Sequence, residues 1–585
     1  MEKMKKYVFC AFLLSLCLNT YGIWWAGPSQ ERIKLVFSDR AMVEKLSPAM
    51  LQSMDDIYQG IEYYDQPQNY KDYDISIDNA KPLTVKRSLL DGARSFLLRS
   101  YAPDEQATLK AISNMDPSRF NFNPRFFIYG GLYLYIISIF LKIVSLTGTI
   151  KLISDVSYYF LNPGQIGLMF TYGKLVSAVF VSCSVFYIYL CGEVLFNKRT
   201  GLIASFLFAV TPAIVIWSHY LNPHAFTIFW MMLSLFTGFK IYKHENRKAY
   251  IYSGFTSGIT AGSLLIYGLI LFALPLIQFT KNIEKGFKKA IISLFDKNMW
   301  FALGAFIFGF IAVNPYWLVS IKQVFREFHM ASTYWQFSPS FANISYYARH
   351  VIMYGLGFPL WFIAILGLLF VFHNHRKKDV LLIILLLTPL IYFAFSTTRH
   401  MHYGLFIYPF LVLLGARFLD WFISGKKVKK ISGLIVLFAV FIYTFAYSLS
   451  MDVAAGRKNT KTSAGEWINS NIPPGSSVGL LDMPSPWRTP PFNFFKYEIV
   501  NIYWDKTLLE NYEPLYVVVT EYQWLRGKDY GQLKEYLKDY IELRRFEEYP
   551  RILGMSFRRD GSSPWDWADI NPEVIVFIRR GTDGA

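Results

Sequence analysis

Long apolar runs separated by short polar connections fill most of the chain. They cover residues 7–26, 126–147, 166–190, 201–217, 225–242, 251–266, 267–280, 299–315, 351–372, 380–396, 404–422 and 431–450. Repeated runs of this kind predict helices that cross a membrane. The run at 251–280 is interrupted only by glycines and Tyr267, which predicts a tight hairpin. We therefore expect a polytopic α-helical membrane protein.

Two stretches have the composition of soluble protein. Residues 27–125 are polar and contain short helical periodicities broken by proline and glycine, which predicts a long loop with short helices. From Met451 to Ala585 the segments GEWINSNI and QLKEYLKDYI favour helix, while LYVVVTEY and EVIVFIRR favour strand. The tail is thus expected to be a small α/β domain.

Basic residues give the orientation. Clusters of Lys and Arg occur near the start and at 197–200, 240–248, 281–289, 376–378 and 426–430, and the connections between them are nearly free of both residues. This alternation is typical of cytoplasmic and external loops in turn. It places the N-terminus in the cytoplasm, accounts for much of the formal net charge of +17, and argues against a nucleic-acid-binding protein.

The number of spans follows from this orientation. Only two can precede the cytoplasmic cluster at 197–200, although three apolar runs are available. We assign 126–147 as a juxtamembrane helix in the outer interface, because it carries two glycines, three tyrosines and Lys142. The first run lacks an A-x-A cleavage site, which favours a membrane span over a signal peptide. About eleven spans result.

The predicted organisation has four parts. These are a first span at 1–26, an external loop with juxtamembrane helices at 27–165, a transmembrane core at 166–450 and an external α/β domain at 451–585. The four cysteines lie in or at the end of apolar runs, so they are interpreted as core residues without disulfides.

Several polar segments then share the external side. They are the Asp104-Glu105 pair, SHYLNPHA (218–225), Asn314-Pro315-Tyr316 and TTRHMHY (397–403). Enzymes on that side of a membrane lack nucleotide sugars and can draw on sugars linked to lipid phosphates. Such chemistry needs a carboxylate base and groups that hold the leaving phosphate.

The order of these segments resembles the GT-C superfamily of membrane glycosyltransferases. The family 39-like members, which include protein O-mannosyltransferases and lipid A aminoarabinose transferases, are the most similar. The stretches that carry the resemblance are YAPDEQATLKAISNMDPSRF, TPAIVIWSHYLNPHAF, FIAVNPYWL, RHMHYGLFIYPF and SAGEWINSNIPPGSSVGLLDMP, within roughly residues 95–485. The resemblance implies a GT-C fold and an inverting transfer that uses polyprenyl phosphate.

The resemblance also implies roles for individual residues. Asp104 matches the family's catalytic base, with Glu105 as helper or substitute, although a Pro-Asp-Glu triplet is also a common helix start. Lys174 stands where the family usually has arginine. It either pairs with Asp104 or with the lipid phosphate, or is an interfacial lysine.

The remaining candidates are expected to bind substrate or carrier. His219 and His224 are predicted to contact substrate or carrier, with a structural role as the alternative. Two such histidines could also bind a metal, but the sequence shows no third ligand nearby. Arg399, His402 and Tyr403 are candidates for the lipid phosphate, with a salt bridge to the tail as the alternative for Arg399. No metal or cofactor is assigned, and a divalent ion stays open.

The expected function is transfer of a sugar from a polyprenyl-phosphate carrier to a hydroxyl of a lipid, glycan or protein. The active site and tail would lie outside an inner or cytoplasmic membrane. The alternatives are a transporter or flippase for a lipid-linked substrate and a non-catalytic relative. Against transport, we see no clear internal repeat, and the polar segments cluster on one side.

Overall fold

The computed structural model describes residues 2–60, 74–76, 84–243, 245–374, 376–397, 400–525, 530–559 and 563–581. The N-terminal part contains helices α1 (Glu2–Thr20), α2 (Glu31–Phe37), α3 (Arg40–Gly60), α4 (Arg87–Leu98), α5 (Glu105–Ser113) and α6 (Gly131–Leu146). Between α3 and α4, strands β1 (Asp74–Ser76) and β2 (Thr84–Lys86) pair antiparallel. Short helices were predicted for this loop; the β-hairpin was not.

The core is helical. It comprises α7 (Ser157–Leu161), α8 (Pro163–Leu195), α9 (Lys198–Ala209), α10 (Pro212–Ser218), α11 (Pro223–Phe239), α12 (Arg247–Ser263), α13 (Ala273–Asn282), α14 (Phe287–Ser293), α15 (Lys297–Val313), α16 (Pro315–Val319), α17 (Ile321–Tyr334), α18 (Phe341–Tyr346), α19 (Met353–Leu356), α20 (Phe358–Asn374), α21 (Lys377–Ala394), α22 (Tyr408–Ile423) and α23 (Lys427–Gly456). The core also contains the 3₁₀ segments Lys240–Tyr242, Leu265–Phe272, Ile283–Lys285 and Met401–Phe406 and the π-helical segment Tyr347–Ile352. Leu265–Phe272 follows a break at Leu264 and belongs to the separate helical stretch Leu265–Lys285, so α12 ends close to the position where a tight turn was predicted within 251–280.

Four helical stretches are long and apolar enough to cross a membrane. They are Pro163–Leu195, Pro223–Tyr242, Leu265–Lys285 and Lys427–Asn471, and three bent helix pairs raise the number to seven if each pair is one span. These counts cover the described part of the chain and rest on length and composition. The chain is thus a helical membrane protein, and the total of about eleven spans stays a prediction.

Helix α6 is shorter than a typical span. Its 16 residues extend about 24 Å, less than the roughly 30 Å of a bilayer's hydrocarbon core. Tyr133, Leu134, Ile137 and Leu141 are buried on one face, and they pack in one cluster with residues of α8 and α11. The short length of α6 favours a juxtamembrane helix over a span, and this assignment stays a prediction.

The tail is built around one mixed sheet. Its elements are α24 (Thr460–Asn471), β3 (Ser477–Leu480), β4 (Glu498–Asn501), α25 (Lys506–Tyr512), β5 (Tyr516–Thr520), α26 (Glu521–Leu525), α27 (Tyr530–Tyr536), β6 (Tyr540–Phe546), β7 (Arg551–Ile552), β8 (Met555–Ser556) and β9 (Val574–Arg579). The sheet order is β4-β3-β5-β9-β6, with β3 parallel to β4 and β5 and with β9 antiparallel to β5 and β6. Strands β7 and β8 form a separate hairpin.

Both faces of the central strands are covered, which explains their continuous apolar runs. Val517 and Val519 pack with Leu533 of α27 on one face. On the other face, Val518 and Val576 join a core that extends into α24, the first loop and the transmembrane helices. Phe96 of α4 lies with its ring centroid 5.6 Å from that of Phe494 in the tail. The tail is therefore packed against the first loop.

Candidate functional site

Asp104 lies at a turn that several buried contacts hold in place. The Arg32 guanidinium donates to the carbonyl oxygens of Ala26, Gly27, Phe96 and Arg99 at 2.7–3.1 Å. The backbone N–H of Tyr101 donates to the Ala26 oxygen at 3.0 Å. Asp104 follows this turn, directly before α5, and its exposed side chain does not cap that helix. Its carboxylate is thus not used in ordering the helix start.

Glu105 and Lys174 form a fully buried ion pair beneath this turn. The Glu105 Oε1 atom lies 3.0 Å from the Lys174 Nζ atom and accepts the Leu221 backbone N–H at 2.9 Å. Lys174 Nζ also donates to the Trp25 carbonyl oxygen at 3.0 Å. Lys174 therefore pairs with Glu105, whereas the sequence predicted Asp104 or the lipid phosphate as its partner, and the pair joins the first loop to α8.

A cavity of about 200 Å³ opens beside Asp104. The membrane part and first loop contribute Pro103, Asp104, Trp217, Tyr220, His400 and His402 to its lining. The tail contributes Trp487, Arg488, Tyr522, Asp566 and Asp569. Segments that are distant along the chain thus meet at one small cavity.

His402 and His224 are buried side by side. Their ring centroids are 4.4 Å apart, and the His402 ring also lies 4.7 Å from Trp217, edge to face. The Nδ1 atoms of both rings have no hydrogen-bond partner among the described residues. His402 lines the cavity, whereas His224 lies behind it.

Two further predicted residues, His219 and Tyr403, lie outside the cavity lining. The His219 nitrogens face the carbonyl oxygens of Val215 and Tyr21 at 2.8 and 2.7 Å. Tyr403 stacks on Trp335 with ring centroids 4.6 Å apart. Arg399 falls outside the described residues, so its predicted role stays a prediction.

Two buried carboxyl groups of the tail form the wall opposite Asp104. Asp566 Oδ2 accepts the Met401 backbone N–H at 2.8 Å, and burial raises the pKa of Asp566 to about 7. Asp569 Oδ2 accepts the Tyr220 hydroxyl at 3.3 Å. Burial, followed by the nearby Asp566 carboxyl, raises the pKa of Asp569 well above its ordinary value, while Lys461 lowers it.

A positive charge also lies on the tail wall. Arg488 donates to Asp482 Oδ1 at 2.8 Å, and Asp482 Oδ2 accepts from the Gln523 amide at 3.0 Å. An arginine held in this way can present its remaining donors to an anion.

Three side chains of the cavity could hold a metal ion. His400, His402 and Asp566 each offer one donor atom, and these atoms lie within 4.8 Å of one another. The sequence suggested a metal only for His219 and His224 and supplied no third ligand. The His400–His402 pair gains its third ligand from the tail.

Comparison with known families gives one match. Residues 170–318 match the model of the dolichyl-phosphate-mannose-protein mannosyltransferase family. The predicted family resemblance is thereby confirmed. The matched segment covers α8 to α16, and thus Lys174, His219 and His224 but not Asp104. A comparison with curated proteins found no match.

The chain is only distantly similar to solved structures. The Archaeoglobus fulgidus oligosaccharyltransferase in complex with Zn and sulfate is 14% identical, with 71% of this chain and 63% of that chain covered and a TM-score of 0.40. This chain therefore spans less than two thirds of that enzyme's length. ArnT from Cupriavidus metallidurans bound to undecaprenyl phosphate is 13% identical, with 81% and 93% covered and a TM-score of 0.45. With identities of 13–14% and TM-scores of 0.40 and 0.45, this likeness does not assign an activity to this chain.

Sequence reasoning missed several cavity residues. They are Tyr220, His400, Trp487, Arg488, Tyr522, Asp566 and Asp569. The stretches SPWRTPP and SPWDWADI combine tryptophan with charged residues inside the tail, and that composition was the available signal. Nothing in the sequence places either stretch beside Asp104.

Proposed function

We propose that this protein transfers a sugar from a polyprenyl-phosphate carrier to an acceptor hydroxyl, with inversion at the anomeric carbon. The observation that carries the proposal is the cavity in which Asp104 of the first loop meets His402 and the tail. The family match adds support, because that family is named for dolichyl-phosphate-mannose as the sugar donor. The acceptor belongs to a lipid, a glycan or a protein.

In the proposed reaction Asp104 is the catalytic base. The acceptor oxygen forms a bond to the anomeric carbon while the bond from that carbon to the carrier phosphate oxygen breaks. The hydroxyl proton passes to the Asp104 carboxylate, and polyprenyl phosphate leaves. An exposed carboxylate that does not cap its own helix is suited to this proton transfer.

We assign Glu105 and Lys174 as positioning residues. Their mutual ion pair is fully buried and lies directly beneath Asp104, so it fixes the turn that presents the base. Arg488, at the cavity wall, is proposed to bind the leaving phosphate together with the predicted Arg399. His402 is proposed to contact the bound substrate, while His219, His224 and Tyr403 support the walls around it.

The proposed reaction takes place on the external side of an inner or cytoplasmic membrane. The alternation of basic clusters supports a cytoplasmic N-terminus and an external tail. The first loop and tail, which share a core, would then form the outer half of the site.

The test is consumption of a labelled donor by the full chain in nanodiscs. A panel of radiolabelled polyprenyl-phosphate sugars is offered with an envelope extract as acceptor, to wild type, Asp104→Asn and Asp116→Asn. Asp116 is a matched control, because it is a carboxylate of the same loop outside the cavity, and asparagine also caps its helix. We expect Asp104→Asn to lower transfer by about 10²–10⁴-fold and Asp116→Asn to leave it unchanged.

The outcomes separate the alternatives. Near-normal transfer by folded Asp104→Asn would remove the assigned base and make Asp566 and Asp569, which also line the cavity, the next carboxyl groups to test. Failure of wild type to release label from any donor would count against the transferase. Label that crosses the membrane while still attached to its lipid would instead favour a flippase.

A further inference from the structure

We propose that His400, His402 and Asp566 bind one divalent transition-metal ion of the Zn²⁺ class at the wall of the cavity. Two of the ligands come from the loop before α22 and the third from the tail. Their donor atoms lie within 4.8 Å of one another, which allows a single ion to contact all three after small side-chain adjustments.

The ligand set selects the class of ion. Two imidazoles and one carboxylate are the donors that Zn²⁺ accepts in sites with three protein ligands. Mg²⁺ and Ca²⁺ prefer oxygen ligands only, so they fit this set poorly. The Met401 N–H donates to Asp566 Oδ2 at 2.8 Å and thereby fixes the orientation of this carboxylate.

Unpartnered buried atoms point independently to a ligand. The His402 Nδ1 and Asp566 Oδ1 atoms are buried and have no hydrogen-bond partner among the described residues. His402 is 5% exposed and Asp566 is 3% exposed. Buried polar atoms are nearly always satisfied, so two orphans in one cluster indicate a missing partner. A metal ion supplies it.

The charge of the cavity supports the same conclusion. Among the residues that the structure describes, Asp104, Asp566 and Asp569 line it together with one arginine, Arg488, which pairs with Asp482. Each of these carboxyl groups repels an entering phosphate when it is ionised, and a cation bound among them offsets that charge. This step rests on the proposed function, whereas the ligand geometry and the orphan atoms do not.

Three protein ligands leave a coordination position open. All three side chains line the cavity, so that position faces the space beside Asp104. We infer that it takes an oxygen of an anionic group, which under the proposed function is the phosphate of the donor or of the released carrier. The site would then also link the tail to the membrane part.

The experiment measures metal content directly. Full-length wild type, His400→Gln, Asp566→Asn and Asp569→Asn are purified in detergent through a tag without histidines and analysed by mass spectrometry for bound metal. Asp569→Asn is the matched control, because it removes a buried cavity carboxylate three residues from Asp566 that does not belong to the ligand group. Size-exclusion chromatography confirms that each variant is folded.

We expect about one metal equivalent in wild type and in Asp569→Asn, and about a tenfold lower content in the two ligand variants. Micromolar Zn²⁺ added to chelator-treated protein should raise the Tm of wild type and Asp569→Asn only. His400 is partly exposed, so His400→Gln remains informative if Asp566→Asn fails to fold.

Two results would overturn the proposal. One is a wild-type protein that contains no metal and whose Tm does not change with Zn²⁺. Protonation alone would then neutralise the buried carboxylates. The other is equal metal content in wild type and both ligand variants. Neither readout needs a sugar donor, so an inactive but metal-loaded protein would count against the proposed function alone.

Discussion

At the scale of single residues, the Glu105–Lys174 pair is the most consequential contact near the site. Both side chains are fully buried, and Lys174 Nζ lies 3.0 Å from Glu105 Oε1. Removing one partner leaves an uncompensated buried charge, so we expect Lys174→Ala to destabilise the fold by about 3–5 kcal/mol. Thermal unfolding in detergent measures this loss.

A double variant separates the two roles given to Lys174. Lys174→Met with Glu105→Gln removes both charges at similar volume, so much of the lost stability should return. If Lys174 instead served only to bind the donor phosphate, Lys174→Ala would unfold like wild type and bind the donor more weakly. That result would contradict the positioning role.

The residues of the site were only partly predictable. Asp104, His402 and the Glu105–Lys174 pair carry local or family signals, and the structure brings them to one region. Asp566 carries no such signal, because its role depends on how the tail docks. The contact between Met401 and Asp566 arises from tertiary packing, and the spacing of residues along the chain does not predict it.

At the scale of elements, the junction of α6, α12 and α15 fixes where the first loop enters the helical core. Asn314 accepts the Gly131 N–H at 2.8 Å and donates to the Gly262 oxygen at 2.9 Å. A Cβ atom on Gly130 would overlap the Gly262 carbonyl oxygen, although the backbone of Gly130 suits any residue. The close approach, rather than backbone freedom, therefore requires glycine.

We expect Gly130→Ala to lower the free energy of unfolding by about 1–3 kcal/mol, because backbone atoms must move apart. Gly304→Ala in α15 is the control: nothing lies within 4 Å of its added Cβ, and alanine favours helix. Thermal unfolding of both variants tests the difference. Equal melting temperatures would show that the junction relaxes without cost.

Strands with a clear local sequence pattern were predicted, whereas the strand that forms only by pairing with another strand was not. The runs YVVVT and VIVFIR became β5 and β9, because both faces of these strands are covered. QLKEYLKDYI was predicted as one helix, but α27 ends at Tyr536 and Tyr540–Phe546 forms β6 against β9. The pairing with β9 overrides the local helical preference there.

At the scale of the whole molecule, the tail lines part of the candidate site, so we expect its docking to control activity. Tyr447 of α23 is a main contact of this interface: its ring stacks on Phe557 at 4.6 Å, and its hydroxyl accepts the Trp567 indole N–H at 3.0 Å. Trp567 is flanked by Asp566, and the same loop contains Asp569. Loss of the Tyr447 ring would therefore loosen two cavity carboxylates.

We expect Tyr447→Ala to increase hydrogen exchange in residues 563–579 and to lower donor turnover by about tenfold or more, because a misplaced wall disrupts the assembled geometry. Tyr447→Phe keeps the stacked ring and loses one hydrogen bond, worth about 1 kcal/mol, so its exchange and turnover should stay near wild type. Hydrogen-exchange mass spectrometry and the labelled-donor assay follow both variants. If Tyr447→Ala loosened the tail while turnover stayed normal, the tail would not be part of the catalytic site, and the chemistry would have to be completed by the first loop and membrane helices alone.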